Sequence, residues 1–242
     1  MYFDLKNRIY VVTGASGGIG SALVNLLNKE GAELFLIDTD QTSLDQLKKE
    51  QATHQNQNYF INSNLKDFKE ITDNLQKPIS GIIHLAGQLE SDNVTSNKKP
   101  IWERAIQNNL TNAYDIIENL IPFFDKNIIG KIILTSSLAY RRGGFDFIPY
   151  TASKGGITGL VRAYSRKLAP EILVNGLAPG IIDTKMPKML IKNRGDELLK
   201  QIPQKRFGKP EEVASVILFL LSEAASYING QIINIDGGII NS

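Results

Sequence analysis

Arg8-Ile9-Tyr10-Val11-Val12-Thr13-Gly14-Ala15-Ser16-Gly17-Gly18-Ile19-Gly20 passes from a short apolar run into a glycine turn and then into a segment of helical periodicity. A nearly continuous run of apolar, β-branched residues suits a strand covered on both faces, as in a parallel sheet. Glycines let the backbone turn tightly and approach a pyrophosphate, while the N–H groups of the following helix start face the anion. The spacing is Gly-x-x-x-Gly-x-Gly, not the more common Gly-x-Gly-x-x-Gly of dinucleotide sites. Taken alone, the run describes an ordinary strand-to-helix turn equally well. Gly14, Ser16, Gly18, Ile19 and Gly20 are its candidate cofactor contacts. Asp38 sharpens the reading, because it closes the next apolar run eighteen residues after Gly20. There a carboxylate can accept hydrogen bonds from an adenosine ribose. A turn or cap role for Asp38 is the plainer alternative, since Thr39 and Asp40 follow. Asp38 and Asp40 would repel a 2′-phosphate, and no Arg or Lys stands in the turn or just after Asp38, so NAD(H) is favoured over NADP(H).

Outward from this stretch, short apolar runs alternate with amphipathic segments of helical length. Strands are expected at Arg8–Thr13, Glu33–Asp38, Asn58–Asn62, Gly81–Leu85, Gly130–Ser136, Leu173–Ala178 and Gln231–Ile235. Helices are expected at Ile19–Glu30, Gln41–Gln51, Leu65–Leu75, Pro100–Asp125, Tyr150–Ala169 and Pro210–Leu221. The alternation predicts an α/β fold: a Rossmann-type doubly wound parallel sheet of about seven strands, with helices on both faces, as a single domain over residues 1–242. Two segments break the rhythm. Arg141–Pro149 reads as a Gly-rich loop, and Asp183–Lys209, interrupted by Pro187, Gly195 and Pro203, reads as a substrate loop.

Composition removes several classes of function. The chain has 27 basic and 25 acidic residues, a net charge of +2 that gives no polyanion-binding surface, so no nucleic-acid partner is expected. With no cysteine, disulfides and thiolate chemistry are excluded, which suits a reducing cytoplasm. The stretch Met1 to Asn7 carries Asp4 and Lys6 and lacks the apolar core of a signal peptide. Apolar runs such as Val216 to Leu221 are too short to span a bilayer, so no membrane association is expected. His54 and His84 lack neighbouring ligands of metal-site spacing, so no metal is expected.

The chemistry concentrates in Tyr150-Thr151-Ala152-Ser153-Lys154, with Ser137 thirteen positions upstream. Residues four apart share one helix face. Unperturbed Tyr titrates near ~10, so moving it about 3 pH units lower needs roughly 4 kcal/mol of phenolate stabilisation. A Lys cation and a positively charged nicotinamide could supply this in a site shielded from water. Such a Tyr can hand a proton to a carbonyl oxygen as hydride reaches the carbon, or take one back.

Together these motifs make the chain resemble the short-chain dehydrogenase/reductase family over essentially its whole length. The resemblance rests on Thr13–Gly20, Leu85-Ala86-Gly87, Asn109-Leu110, Ser136-Ser137, Tyr150 to Lys154, Asn175, Pro179-Gly180 with Thr184, and Gly230-Gln231 to Asp236-Gly237-Gly238. It implies Tyr150 as catalytic acid/base, and Lys154 as a ligand of the nicotinamide ribose that depresses the Tyr pKa. Ser137 would hold the substrate oxygen, and Asn109 would position a water in a proton relay. Asn64-Leu65 matches the adenine contact, where the family usually has Asp-Val. Ala86 and Gly87 match a close backbone approach, and Pro179, Gly180, Ile182 and Thr184 the nicotinamide lining. Two departures stand out: the family's Asn-Asn-Ala-Gly reads His84-Leu85-Ala86-Gly87, and the Gly usually found after the helical Asn is Asn112.

The implied activity is interconversion of a secondary alcohol and a ketone, a small molecule, with NAD(H). The alternative within the family is a 3-oxoacyl-acyl-carrier-protein reductase, which the tail and the Pro210-Glu211-Glu212 helix resemble. Such reductases generally prefer NADPH, against Asp38, and carry carrier-docking arginines where this chain has Ile128-Ile129 and Pro170-Glu171. A non-catalytic dinucleotide-binding regulator is the alternative of another class. Arg141 and Arg142 would begin a solvated loop or an anion clamp. Phe145, Phe147, Phe207, Met186 and Met189 could form an apolar pocket wall, and Trp102 core or subunit packing. Helices Pro100–Asp125 and Tyr150–Ala169 resemble those through which the family forms dimers and tetramers, so a homotetramer or homodimer is expected.

Overall fold

Alternate residues of each central strand serve opposite cores. Tyr10, Val12, Leu34, Leu36 and Ile83 face one buried cluster, while Ile9, Val11, Phe35, Ile37 and Ile82 face another. With period-two side chains and both faces apolar, a strand is stable only between two helical layers. The computed structural model describes residues 5–53, 56–94 and 97–240, and realises that arrangement. The expectations for the chain's first residues and for His54 lie outside the described residues.

Seven parallel strands pair in the order β3-β2-β1-β4-β5-β6-β7. They are β1 Ile9–Thr13, β2 Glu33–Asp38, β3 Asn58–Asn62, β4 Gly81–His84, β5 Gly130–Thr135, β6 Ile172–Pro179 and β7 Ile232–Ile235. On one face pack α1 (Gly18–Lys29), through Leu23 and Leu27, α2 (Gln41–Gln51), through Leu47, and α9 (Pro210–Leu221), through Val213, Ile217 and Leu220. On the other face pack α5 (Asn112–Leu120), through Ile116 and Ile117, and α7 (Ile148–Lys167), through Ile157 and Val161. Among the described residues no helix is long and apolar enough to cross a membrane.

Four expected elements differ. The helix expected from Leu65 forms only as α3, Lys69–Asn74. Leu65 is left-handed, with φ 62°, so its side chain enters the core where a helix cannot yet continue. The single helix expected over Pro100–Asp125 is α4 (Lys99–Ile106), a π-helical turn (Gln107–Thr111), α5 and a short 3₁₀ turn (Ile121–Phe123). The expected loops also contain helix: Ala139–Arg142 forms a short α6, and α8 spans Lys188–Gln201. Pro187 and Pro203 bracket α8 without entering it. Its kink falls at Arg194 (φ −136°, ψ 20°), just before Gly195. The excursion holding α8 is pinned at its base, where Asp183 N–H donates to Gly208 (2.8 Å) and Gly208 N–H to Ile181 (3.0 Å).

Candidate active site

Strand order reverses between β1 and β4, so the loops leaving their carboxyl ends part and open a crevice, the usual ligand position in such sheets. The glycine turn occupies one wall. Gly14 has φ +66°, and a Cβ there would lie 2.8 Å from Ala86 N and 2.9 Å from the Leu85 carbonyl carbon. A Cβ on Gly20 would lie 2.2 Å from Gly14 O. Both positions therefore require glycine. No side chain caps the start of α1, which leaves the first-turn N–H groups pointing out of the helix end. Gly18 faces the far wall, where a Cβ would come within 2.5 Å of Thr184 Cγ2. These features fit a dinucleotide phosphate.

Asp38, at the carboxyl end of β2, binds backbone. It accepts hydrogen bonds from the N–H groups of Ser16 (3.0 Å), Thr39 (2.8 Å) and Asp40 (3.2 Å). The Ser16 amide is thus committed to Asp38. Asp40 is the N-cap of α2, accepting from Ser43 N–H (3.1 Å) and Oγ (2.7 Å). Asn64 Oδ1 takes the Lys66 N–H (3.1 Å), and its neighbour Leu65 is buried. Pro179 ends β6 and Gly180 follows it: the Pro179 carbonyl accepts from Leu138 N–H (2.9 Å), and Gly180 N–H donates to Ile235 (2.9 Å). Ile182 and Thr184 follow on the same wall.

Ser137, Tyr150 and Lys154 line one cleft with Gly87, Gly180, Ile182 and Thr184, a volume of about 260 Å³. Pro149 at the second helical position starts α7 early enough for Tyr150 and Lys154 to share its inner face. The Lys154 ammonium donates to the Thr135 carbonyl (2.8 Å), and the Lys154 carbonyl accepts from Ser136 Oγ (2.7 Å), riveting α7 to the end of β5. Lys154 Nζ lies 5.7 Å from the centre of the Tyr150 ring. Asn109 sits in the π turn, fully buried, with Oδ1 accepting from Gln88 N–H (2.7 Å) and Nδ2 donating to Gln88 O (3.0 Å). A Cβ on Gly87 would lie 2.7 Å from Asn109 Oδ1 and 3.1 Å from Lys154 Nζ. Gly87, Asn109 and Lys154 therefore form one packed unit.

Burial drives the titration here. Desolvation lowers Lys154 to about 8. It raises Tyr150 above its ordinary value, and a hydrogen bond with Ser137 works against that rise. The Lys154 ammonium is turned to the Thr135 carbonyl (2.8 Å). His84 ends β4 fully buried, with Nδ1 2.8 Å from Thr13 Oγ1. Thr13 Oγ1 also accepts from Ala86 N–H (3.3 Å), so one hydroxyl joins His84 to the backbone after β4. Nε2 has no hydrogen-bond partner among the described residues. Desolvation first, and the Lys154 charge second, hold His84 at about 3. A neutral histidine thus replaces the family asparagine as the tie between β1 and β4.

The rest of the cleft is mainly apolar: Leu89, Leu138, Phe145, Phe147, Met186 and Leu198 contribute. Met189 is outside this lining and 65% exposed, and Phe207 is also outside it. Trp102 is not a core residue, being 47% exposed on α4. Arg142 lines the cleft, whereas Arg141 lies against the Tyr140 ring (5.5 Å), bonding its hydroxyl (2.6 Å). Arg194, not singled out from sequence, joins Arg142 on the lining. No signal near either residue links them, because they stand on different helices.

The profile of a family described as enoyl-(acyl carrier protein) reductase matches residues 14–240. The chain is 34% identical to the 3-oxoacyl-(acyl-carrier-protein) reductase FabG of Thermotoga maritima, over 98% of this chain and 99% of that one. It is 32% identical to the acetoacetyl-CoA reductase of a Synechocystis species, over 96% of each. A crystal structure of a short-chain dehydrogenase/reductase (glucose/ribitol dehydrogenase) from Brucella melitensis superposes with a TM-score of 0.92 at 35% identity, covering 100% of both chains.

Proposed function

This chain belongs to the short-chain dehydrogenase/reductase family, and from that membership we propose that it is an NAD(H)-dependent oxidoreductase interconverting a secondary alcohol and a ketone. The observation that carries the reading is the convergence of Tyr150, Ser137 and Lys154 on one cleft beside the glycine turn. The dinucleotide, when bound, supplies or accepts the hydride. Tyr150 gives its phenolic proton to the carbonyl oxygen in reduction, and Ser137 donates a second hydrogen bond to that oxygen as charge develops. Lys154 anchors the ribose and, with its value of about 8, carries its positive charge at neutral pH. Asn109, clamped on the Gln88 backbone, fixes the wall behind Lys154 and holds the relay water. Asp38 and Asp40 favour NAD(H), since a 2′-phosphate would meet two carboxylates. Residues 183–209 cover the substrate as a loop, and a homotetramer or homodimer forms through α4, α5 and α7, where Trp102 (47%) and Tyr114 (48%) are exposed.

The test is oxidation of NADH and NADPH over a panel of ketones, with Tyr150→Phe as control. Loss of the acid should lower kcat by about 10²–10⁴-fold. Equal turnover by the variant would defeat the reading. The names of the relatives favour a second reading, reduction of a 3-oxoacyl thioester on a carrier. A kcat/KM for carrier-bound 3-oxoacyl groups far above that for free ketones would select it.

A further inference from the structure

We propose that Arg142 and Arg194 form an oxyanion-binding rim on the substrate cleft, so that the substrate is a ketone or alcohol with an apolar body ending in a carboxylate or phosphate. The inference rests on the proposed ketone reduction and specifies the substrate class for that same site. Arg142 stands at the end of α6, five residues beyond Ser137, and Arg194 stands at the kink of α8, inside the substrate loop. Both line the cleft that Ser137 and Tyr150 line, with Leu138, Phe147, Leu190 and Leu198 supplying apolar wall. One cleft therefore carries both the reactive groups and two cations.

The partners of the two arginines are replaceable. Arg142 bonds the side-chain oxygen of Gln201, a neutral amide, leaving most of its five donors for another acceptor. Arg194 forms a bidentate pair with Glu197 (2.9 and 2.8 Å), and both side chains are about half exposed (44% and 53%). Exposed pairs of this kind hold weakly. Glu197 also feels Arg142, so the carboxylate lies in the field of both cations, and Asp146 faces Arg194 from the loop before α7. Glu197 already occupies the position a substrate anion would take. An incoming oxyanion can displace it, because a guanidinium fork binds either a carboxylate or a phosphate in the bidentate mode. Phe145, 92% exposed at the same rim, offers apolar surface along the entry path.

The experiment uses methyl ketones CH₃CO(CH₂)ₙCOO⁻ of increasing n, their methyl esters, and the matching ω-phosphates, each with NADH. At the length spanning catalytic and cationic groups, the acid or phosphate should exceed the ester in kcat/KM by about tenfold, and the ratio should fall with ionic strength. Arg142→Ala and Arg194→Ala should each lower the ratio and the double variant bring it to about one. The acid arm against the phosphate arm identifies which oxyanion fits. A ratio near one in the parent, or a preference that survives the double variant, overturns the rim. If no ketone turns over, the proposed activity fails. The rim is then judged by calorimetric titration of the acid into the dinucleotide-loaded protein, where equal binding by parent and double variant overturns it.

Discussion

His84 should make the fold acid-labile in a way that its family counterpart, asparagine, would not. In the unfolded chain the imidazole takes a proton near 6.5, while in the fold burial and the Lys154 charge postpone protonation to about 3. The folded value lies below the unfolded one, so its contribution is complete above pH 6.5 and is lost as pH falls towards 3. Each pH unit below 6.5 costs about 1.4 kcal/mol. At pH 4.5 the loss is therefore about 3 kcal/mol, a large part of the roughly 5–15 kcal/mol that holds a typical domain together. Groups facing the ring offer no relief: Thr13 Oγ1, 2.8 Å from Nδ1, carries no charge, and Lys154 repels a second cation. Urea unfolding of the parent and of His84→Asn at pH 7 and pH 4.5 measures this directly. Carboxylates titrate alike in both proteins and cancel in the difference. The parent should lose about 3 kcal/mol more than the variant between the two pH values. Equal losses would show that His84 is protonated or solvated in the fold, and would refute the buried neutral tie.

Gly87→Ala places a methyl 2.7 Å from Asn109 Oδ1 and 3.1 Å from Lys154 Nζ, and should lower kcat about 10–100-fold while circular dichroism stays native. Unchanged kcat would separate Asn109 and Lys154 from turnover. Asp38→Ser removes the carboxylate proposed to face the adenosine ribose and should shift the NADH/NADPH ratio of kcat/KM towards NADPH by about tenfold or more, and an unmoved ratio would take cofactor choice away from β2. Because burial raises Tyr150, ketone reduction should hold its rate across neutral pH while alcohol oxidation climbs on the alkaline side. Oxidation with a flat alkaline profile would contradict that state of the tyrosine.

The strands were legible because two apolar faces leave a run of β-branched residues no other stable home. Glu33–Asp38 and Asn58–Asn62 fall where their composition put them, and the remaining strands begin or end within a residue of it. Tyr150 and Lys154 were legible from their helical spacing, and Ser137 and Asn109 from the family resemblance; the fold brings Ser137, Tyr150 and Lys154 to one cleft and packs Asn109 against Gly87 of its wall. What escaped depends on contacts between distant segments. The π turn at Gln107–Thr111 keeps the apolar rhythm of an α-helix, so nothing in the pattern marks it, yet it carries the buried Asn109. Leu65 looked like a helix start because it is apolar, but its left-handed backbone follows from the space the core leaves for it. Helix α8 was hidden by Pro187, Gly195 and Pro203, which flank or kink it, and its hold on the domain is the burial of Leu198. Arg194 belongs to the cleft only because that helix forms.

Tyr150 and Lys154 are shifted in opposite senses by the same burial, and this bears on what the protein must borrow. A tyrosine raised by desolvation is a secure proton donor, and a lysine lowered to about 8 stays charged at neutral pH. Carbonyl reduction needs both of those states, so the protein alone is prepared for that direction. Alcohol oxidation needs a phenolate, and the cation that could favour it is directed to the Thr135 carbonyl at 2.8 Å. Ser137 opposes the rise with one hydrogen bond. Lowering a tyrosine from its ordinary value to neutrality requires roughly 4 kcal/mol, more than the ~1 kcal/mol a typical hydrogen bond contributes. The remainder has to come with the oxidised dinucleotide, whose ring is positive, or from Lys154 turning towards the ring oxygen as the ribose displaces it from Thr135. On the proposed mechanism, acid/base competence for oxidation is thus conferred on binding, while competence for reduction is already folded in.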